Sequence, residues 1–265
     1  MLIAERRSLI IQELQENRKV VVSELSRKFD VSEETIRRDL DRLAEEGIVV
    51  KGYGGAVLKE QFGMELPFNV RYKMNPEGKM KIAELAADRI ANGEYIFLDA
   101  SSTTVYLSRT LRKKSFEKLT VITNSVENTV TLAPAAGCEI VMTGGTVHSQ
   151  TMSLMGSKAV ETVYGYHVDK AFISCNGLDI TRGITEGNDE VVSMKQAIIR
   201  AADKVILLAD SDKFGRSSFS QVCDISAVNT LITDMRPSDK WVEKLAEMNI
   251  ELIYPQQSGK DGDTD

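Results

Sequence analysis

Scarcity narrows this chain first. Its 265 residues include only three cysteines and two histidines. Cys138, Cys175 and Cys223 are scattered, so they imply no disulfide framework and fit buried structural thiols in a reducing cytoplasm. Cys175 stands apart because it precedes an Asn-Gly turn signal. His148 and His167 lie in no motif that would activate a hydroxyl, and no catalytic residue or metal site is expected. No run approaches the ~20 consecutive apolar residues of a membrane helix. The N-terminal stretch has charges on both sides of its apolar residues and lacks a secretory core. A positive surplus is missing as well. The net charge is −6, and residues 1–58 carry 10 Lys+Arg against 11 Asp+Glu. Any contact with nucleic acid must therefore depend on where basic side chains point, not on their sum.

What is present suits a soluble chain of two compact units. Near the N-terminus, Leu9, Ile10 and Leu14 form one helical stripe, and SELSRKF (23–29) forms a short second one. A third helix opens at Ser32, a good N-cap, with two acidic residues in its first turn, and Gly47 suits its end. Ile36, Leu40 and Leu43 share its apolar face. Thr35, Arg38 and Arg42 share another, with Arg37 beside them. This matches a recognition helix lying in a major groove, where Arg forks onto guanine or grips phosphate and Thr meets a base edge. It also matches a surface helix laced with ion pairs such as Glu34–Arg38. A four-residue break before this helix suits a helix-turn-helix. IVVKGYGGAVL after it reads as a β-hairpin, a wing with Lys51 and Tyr53 at its tip.

ERRSLIIQEL, SEETIRRDL and YGGAV closely resemble the N-terminal signature of DeoR-type bacterial transcription regulators. Thr35 to Leu40 is the most specific part. The family usually carries His where Tyr53 stands. The resemblance implies double-stranded operator DNA as a partner, with Ser32, Thr35, Arg37, Arg38, Arg42, Lys51 and Tyr53 toward it.

Residues 59–78, with Pro67 and Pro76, read as an irregular connection that Phe62, Leu66 and Phe68 anchor to one domain. Beyond it, apolar runs at 95–98, 119–123, 139–143, 168–174, 204–209, 228–233 and 250–254 alternate with helical patterns. Near-continuous apolar strands are those of a parallel sheet buried on both faces. The fold class expected is α/β: a small winged helix-turn-helix over 1–58 and a larger doubly wound α/β domain over 79–254. The polar tail, 255–265, is expected to be disordered.

Ligands of such sheets bind beyond the C-terminal ends of the strands. Those ends read Asp99-Ala100-Ser101-Ser102-Thr103-Thr104, Thr123-Asn124-Ser125, Thr143-Gly144-Gly145-Thr146, Cys175-Asn176-Gly177 and Asp210-Ser211-Asp212-Lys213. The segment 183–195 adds Thr185, Glu186, Glu190 and Lys195. Backbone N–H groups at a helix start, with hydroxyls converging, can hold an anion. Each piece also has a plain use, as the cap of the next helix or as a turn.

IFLDASSTT, VITNS, MTGG, DKAFISCNG, GITE and LLADSDKFG resemble the ordered motifs of the DeoR-type effector domain. That domain is similar in fold to ribose-5-phosphate isomerase, and family members commonly sense phosphorylated sugars. The resemblance implies that Asp99, Ser101, Ser102, Thr103 and Thr104 hold a phosphate. Asn124, Ser125, Gly144, Gly145, Asn176, Gly177, Thr185, Glu186, Glu190, Lys195, Asp210 and Lys213 would face the sugar or support the site. It implies a repressor of a carbohydrate operon, and no cofactor is expected. A single winged helix offers too little interface for high specificity, so at least a homodimer, or a homotetramer, on paired half-sites is expected. The main alternative is a phosphosugar isomerase with an attached DNA-binding module. The isomerase pattern Asp-Gly-Ala-Asp is here Asn176-Gly177-Leu178-Asp179, which removes a proton acceptor. A nucleotide-binding domain is less well served, because DASSTT is neither G-x-G-x-x-G nor a Walker loop.

Overall fold

Two separate clusters of buried apolar side chains organise the chain, which divides between Met74 and Asn75. A computed structural model describes residues 1–17, 19–59 and 66–256. Phe62, and the tail expected to be disordered from residue 257 onward, lie outside the described residues.

The first unit comprises α1 (Ile3–Asn17), β1 (Lys19–Val21), α2 (Val22–Phe29), α3 (Glu33–Glu45), β2 (Val49–Gly52), β3 (Gly55–Leu58) and α4 (Phe68–Lys73). Ile10 and Leu14 of α1, Leu25 of α2 and Ile36, Leu40 and Leu43 of α3 are all at most 3% exposed and meet in one core. Strands β2 and β3 form the expected wing with Tyr53-Gly54 as its tip. Strand β1 was not expected, because three β-branched or charged residues beside a helix start show no period. It pairs with β3 at Val21 and Gly55. A Cβ on Gly55 would lie 2.1 Å from the Val20 carbonyl oxygen, so only glycine lets the two strands close.

A buried carboxylate ties α1 to α3. Asp39 is 2% exposed and accepts from Arg6 Nε at 2.6 Å and Arg7 Nε at 3.0 Å. The stretch expected to be irregular over 59–78 instead contains α4 and the start of α5. Pro67 is the N-cap of α4 and Pro76 stands in the first turn of α5. Both prolines occupy helix starts, where a missing N–H costs nothing. Leu66, Val70 and Met74 join the first unit's core.

The second unit runs through α5 (Pro76–Ala87), β4 (Tyr95–Leu98), α6 (Ser102–Leu111), β5 (Leu119–Thr123), α7 (Val126–Leu132), β6 (Cys138–Met142), β7 (Thr146–His148), β8 (Ser153–Met155) and α8 (Ser157–Tyr164). It continues with β9 (Val168–Ile173), β10 (Gly177–Asp179), β11 (Gly183–Glu186), α9 (Asp189–Arg200), β12 (Ala202–Leu208), β13 (Ser220–Cys223), β14 (Thr230–Ile232), α10 (Asp239–Glu247) and β15 (Glu251–Ile253). Seven strands make one sheet in the order β15-β14-β12-β9-β4-β5-β6, and every neighbouring pair is parallel. These are the seven apolar runs of the sequence. Helices α5, α6 and α7 pack on one another, while α8 packs on α9, as in a doubly wound fold. The small sheet β10-β11-β13 and the hairpin β7-β8 come from stretches without a strand signal, each only three or four residues long.

Chain order reverses between β4 and β9. From β4 the chain adds β5 and β6 on one side, and from β9 it adds β12, β14 and β15 on the other. Such a switch point opens a crevice beyond the strand ends, and here those ends are Asp99 and Ser174. In the first unit, Asp39→Ala should cost about 3 kcal/mol, because it leaves Arg6 buried without its counter-ion. Denaturant melting followed by circular dichroism checks this, and an unchanged midpoint contradicts it.

Candidate functional site

In the first unit, Ser32 caps α3 by accepting from the Thr35 N–H at 3.2 Å, and the two hydroxyls lie 2.9 Å apart. With Ile36, Leu40 and Leu43 turned inward, Arg37, Arg38 and Arg42 face solvent. Each is held by glutamates of its own helix end: Arg37 by Glu33 at 2.6 Å, Arg38 by Glu34 at 3.3 Å, and Arg42 by Glu45 and Glu46 at 3.0 and 3.2 Å. Exposed pairs of this kind contribute ~0–1 kcal/mol. A phosphate or a base edge can take the glutamate's place at small cost. The three arginines are therefore held only weakly on one solvent-facing surface. Lys51 pairs with Asp41, and Tyr53 projects fully exposed from the wing tip.

In the second unit the switch point is built around Lys195, which α9 carries into the interior at 6% exposure. Its Nζ lies 2.9 Å from Asp99 Oδ2 and 2.7 Å from Glu186 Oε1, and it also donates to the Ser174 carbonyl. Three acceptors meet the three ammonium protons. Burial opposes the charge, but Asp99 and Glu186 more than offset it and hold the Lys195 ammonium above its usual range. Asp99 Oδ2 also accepts the Ser174 N–H at 2.9 Å, so one carboxylate links the ends of β4 and β9. Its Oδ1 is buried and unpartnered.

The hydroxyls of the 99–104 loop divide by role. Ser101 and Thr104 form a capping box on α6: Thr104 N donates to Ser101 Oγ at 3.1 Å and Ser101 N to Thr104 Oγ1 at 3.3 Å. Thr104 also donates to the Asp99 carbonyl at 2.7 Å. Asn128 of α7 locks this arrangement, donating to the Asp99 carbonyl at 2.9 Å and accepting from Ser108 at 2.9 Å. The side chains of Ser102 and Thr103 occupy the first turn and are not drawn into the cap. The dipole and free N–H groups of that turn favour an anion.

Both halves match one family of known proteins. Residues 6–62 fit the DeoR-like helix-turn-helix domain and residues 74–235 the DeoR C terminal sensor domain. The chain belongs to the DeoR family. It is a DNA-binding transcriptional regulator, 36% identical over 252 residues to the HTH-type regulator YulB of Bacillus subtilis, covering 95% of this chain and 96% of that one. The transcriptional repressor GlcR of the same species is 34% identical, covering 97% of this chain and 98% of its own. The glycerol-3-phosphate regulon repressor of Escherichia coli is 29% identical, covering 94% and 97%. A ribose 5-phosphate isomerase from Methanocaldococcus jannaschii aligns with a TM-score of 0.40 at 19% identity, covering 53% of this chain and 55% of that one.

The remaining sensor-domain residues separate into three groups. Asn124 is buried beside the loop, its Nδ2 donating to the Leu154 carbonyl at 3.4 Å and its Oδ1 unpartnered. Asp210 ends β12 buried, with Lys79 Nζ 4.0 Å from its Oδ2 and Oδ1 unpartnered. Burial raises its carboxyl above the ordinary value, against the pull of Lys213 and Lys79. A second group holds neighbouring loops and helix starts. Ser125 caps α7, Asn176 donates to Ser218, and Thr185 accepts the Ser218 N–H. A Cβ on Gly177 would lie 2.7 Å from the Arg216 carbonyl oxygen, and one on Gly145 would lie 2.5 Å from that of Met155, whereas Gly144 faces open space. Glu190 stands apart, exposed in the first turn of α9 and outside the Lys195 cluster. Lys213 is half-buried in the turn after Asp210.

Sequence reasoning missed Lys79, Asn128, Ser174 and Asp234. Lys79 had a usable signal, since it lies three and four residues before Ile82 and Ala83 on the buried stripe of α5. His148 meets Thr151 at 2.9 Å, and His167 pairs with Asp203 on the surface. No cluster among the described residues could hold a metal ion. Cys175 is buried with its thiol pushed up to about 12, first by burial and then by Glu186, while Cys138 and Cys223 are half-buried. At pH 8 iodoacetamide should therefore label Cys175 only after unfolding, and native-state labelling within minutes, read by mass spectrometry, contradicts this. Lys195→Met leaves two buried carboxylates unneutralised and should lower stability by ~3–5 kcal/mol, measured as the urea midpoint of the sensor domain.

Proposed function

We propose that this regulator represses a carbohydrate operon and that a phosphorylated sugar bound at the β4–β9 switch point controls its grip on DNA. The observation that carries the reading is the first turn of α6. Ser101 and Thr104, with the Thr104 N–H, complete the cap, which leaves the hydroxyls and N–H groups of Ser102 and Thr103 for an anion. The phosphate sits there, while the unpartnered oxygens of Asp99, Asn124 and Asp210 accept hydroxyls from the sugar. Lys195 keeps Asp99 from repelling the phosphate and takes no ligand contact of its own. Relatives named for an L-fucose operon and a glycerol-3-phosphate regulon support the carbohydrate setting.

Operator contacts come from Arg37, Arg38, Arg42, Thr35 and the wing residues Lys51 and Tyr53, with Ser32 holding the helix start. One winged helix offers little interface, so the working form is a homodimer or homotetramer on paired half-sites. The protein acts in the cytoplasm, and no helix among the described residues is long and apolar enough to cross a membrane.

Turnover as an isomerase is the lesser reading. Lys195 is committed to three acceptors. Asp179 accepts the Arg182 and Thr181 N–H groups at 2.9 Å each, which hold it below the usual carboxylate range. Neither is a poised base.

A thermal-shift screen against phosphorylated sugars and polyols tests the reading, since a ligand that binds only the folded state raises the melting temperature. Failure of every phosphorylated compound rejects it. Arg38→Ala should weaken operator binding by ~1–3 kcal/mol while leaving ligand binding intact, read by fluorescence anisotropy. Unchanged affinity removes Arg38 from the readout. The Ser102→Ala/Thr103→Ala double variant should bind operator normally and lose its response to ligand. A normal response in that variant rejects the phosphate cradle.

A further inference from the structure

Asn75 opens the second unit in a conformation that needs support. Its φ is 42° and its ψ 56°, the left-handed region that a residue with a Cβ enters at a cost. Its Oδ1 accepts the Gly78 N–H at 3.0 Å, and its Nδ2 donates to Asp234 Oδ2 at 3.1 Å. Asp234, just past β14, also accepts the Ser211 N–H at 2.7 Å and the Ser211 hydroxyl at 3.3 Å. Ser211 follows Asp210, whose Oδ2 lies 4.0 Å from the buried Lys79 Nζ. The first turn of α5 is thus fastened twice to the loop that follows β12.

Gly78 makes this closeness possible. A Cβ there would lie 2.4 Å from Asn75 Nδ2 and 2.6 Å from Asp234 Oδ2. Gly78 is not among the positive-φ glycines, so the requirement is space and not backbone freedom. The loop also offers Asp210 Oδ1, buried and unpartnered, an acceptor whose unmet hydrogen bond a bound hydroxyl would supply.

We propose that this junction relays the state of the 210–213 loop to the DNA-binding unit, which ends one residue earlier, at Met74. Asn75, Gly78 and Lys79 are positioning residues that act through Asp234 and Asp210. A ligand that draws on Asp210 changes the hold on Lys79, and the first turn of α5 shifts the chain that enters the winged helix. The route of the ligand signal rests on the effector reading above. The coupling between α5 and operator affinity does not.

The test uses the full chain and an operator duplex selected by the wild-type protein from random sequence. Without ligand, Gly78→Ala and Lys79→Met should each change operator affinity threefold or more. Lys79→Arg, which keeps the charge, should recover most of the Lys79→Met change. Melting temperature and amide protection in α3 and β4 report whether both units remain folded. Wild-type affinity in both folded variants overturns the relay. Should either variant fail to fold, Asp234→Asn should produce the same change, and unaltered affinity there overturns the relay equally. In a second arm, 20 mM glycerol 3-phosphate, which carries both a phosphate and free hydroxyls, is the probe in hydrogen exchange. It should protect amides 101–105 in wild type and Gly78→Ala alike, and alter those of 75–81 only in wild type. A response at 75–81 that persists in Gly78→Ala overturns the relay. No protection at 101–105 in wild type overturns the phosphate cradle, and the ligand-free arm then decides the relay by itself.

Discussion

The ammonium of Lys195 lies between two buried carboxylates, Asp99 and Glu186, where chain order in the seven-stranded sheet reverses. Removing two carboxylates and an ammonium from water costs several kcal/mol per ion before their attraction offsets it. Such a cluster is a poor device for stability and a good one for position. Through Asp99 it holds the ends of β4 and β9 together, and the Asp99 carbonyl in turn anchors Thr104 and Asn128. The first turn of α6 is aimed by that chain of bonds.

The first unit uses charge in two opposite ways, and burial decides which. Asp39 at 2% exposure grips Arg6 and Arg7 and fixes α3 against α1. Arg38, with its side chain 78% exposed, is held by Glu34 in a contact that solvent already weakens. One pairing fixes the helix, and the other is weak enough to yield to a competing anion. A basic surface can thus be stored in a region whose charges nearly cancel. The net charge of −6 does not argue against a nucleic-acid partner once the arginines are seen to share one exposed face.

Strong periodicity and long apolar runs made much of this legible in the sequence. All seven strands of the main sheet were visible because their runs are largely apolar, as in a parallel sheet, including the partly exposed edge strands β6 and β15. Helix α3 was visible because Ile36, Leu40 and Leu43 fall on one stripe and Ser32 and Gly47 mark its ends. Strands of three residues such as β1, β7 and β10 carry no period, and their pairing depends on partners distant in sequence. Pro67 and Pro76 misled because a proline that opens a helix looks the same in sequence as one that breaks it. Within DASSTT, the split between capping and uncommitted hydroxyls depended on Asn128, twenty-four residues beyond Thr104. Lys79 and Asp39 shared a neglected signal, a charge on the apolar stripe of a helix. In both cases the structure supplies a buried counter-ion, which sequence spacing cannot reveal.

The central claim is that a phosphate at the start of α6 is what the operator-binding surface answers to. The most direct measurement is operator affinity in matched titrations with each sugar phosphate that raises the melting temperature and with the same sugar lacking its phosphate. The account predicts that operator affinity moves only with the phosphorylated member of a pair. An equal response to the unphosphorylated sugar, or a bound sugar phosphate that leaves operator affinity unchanged, would contradict it.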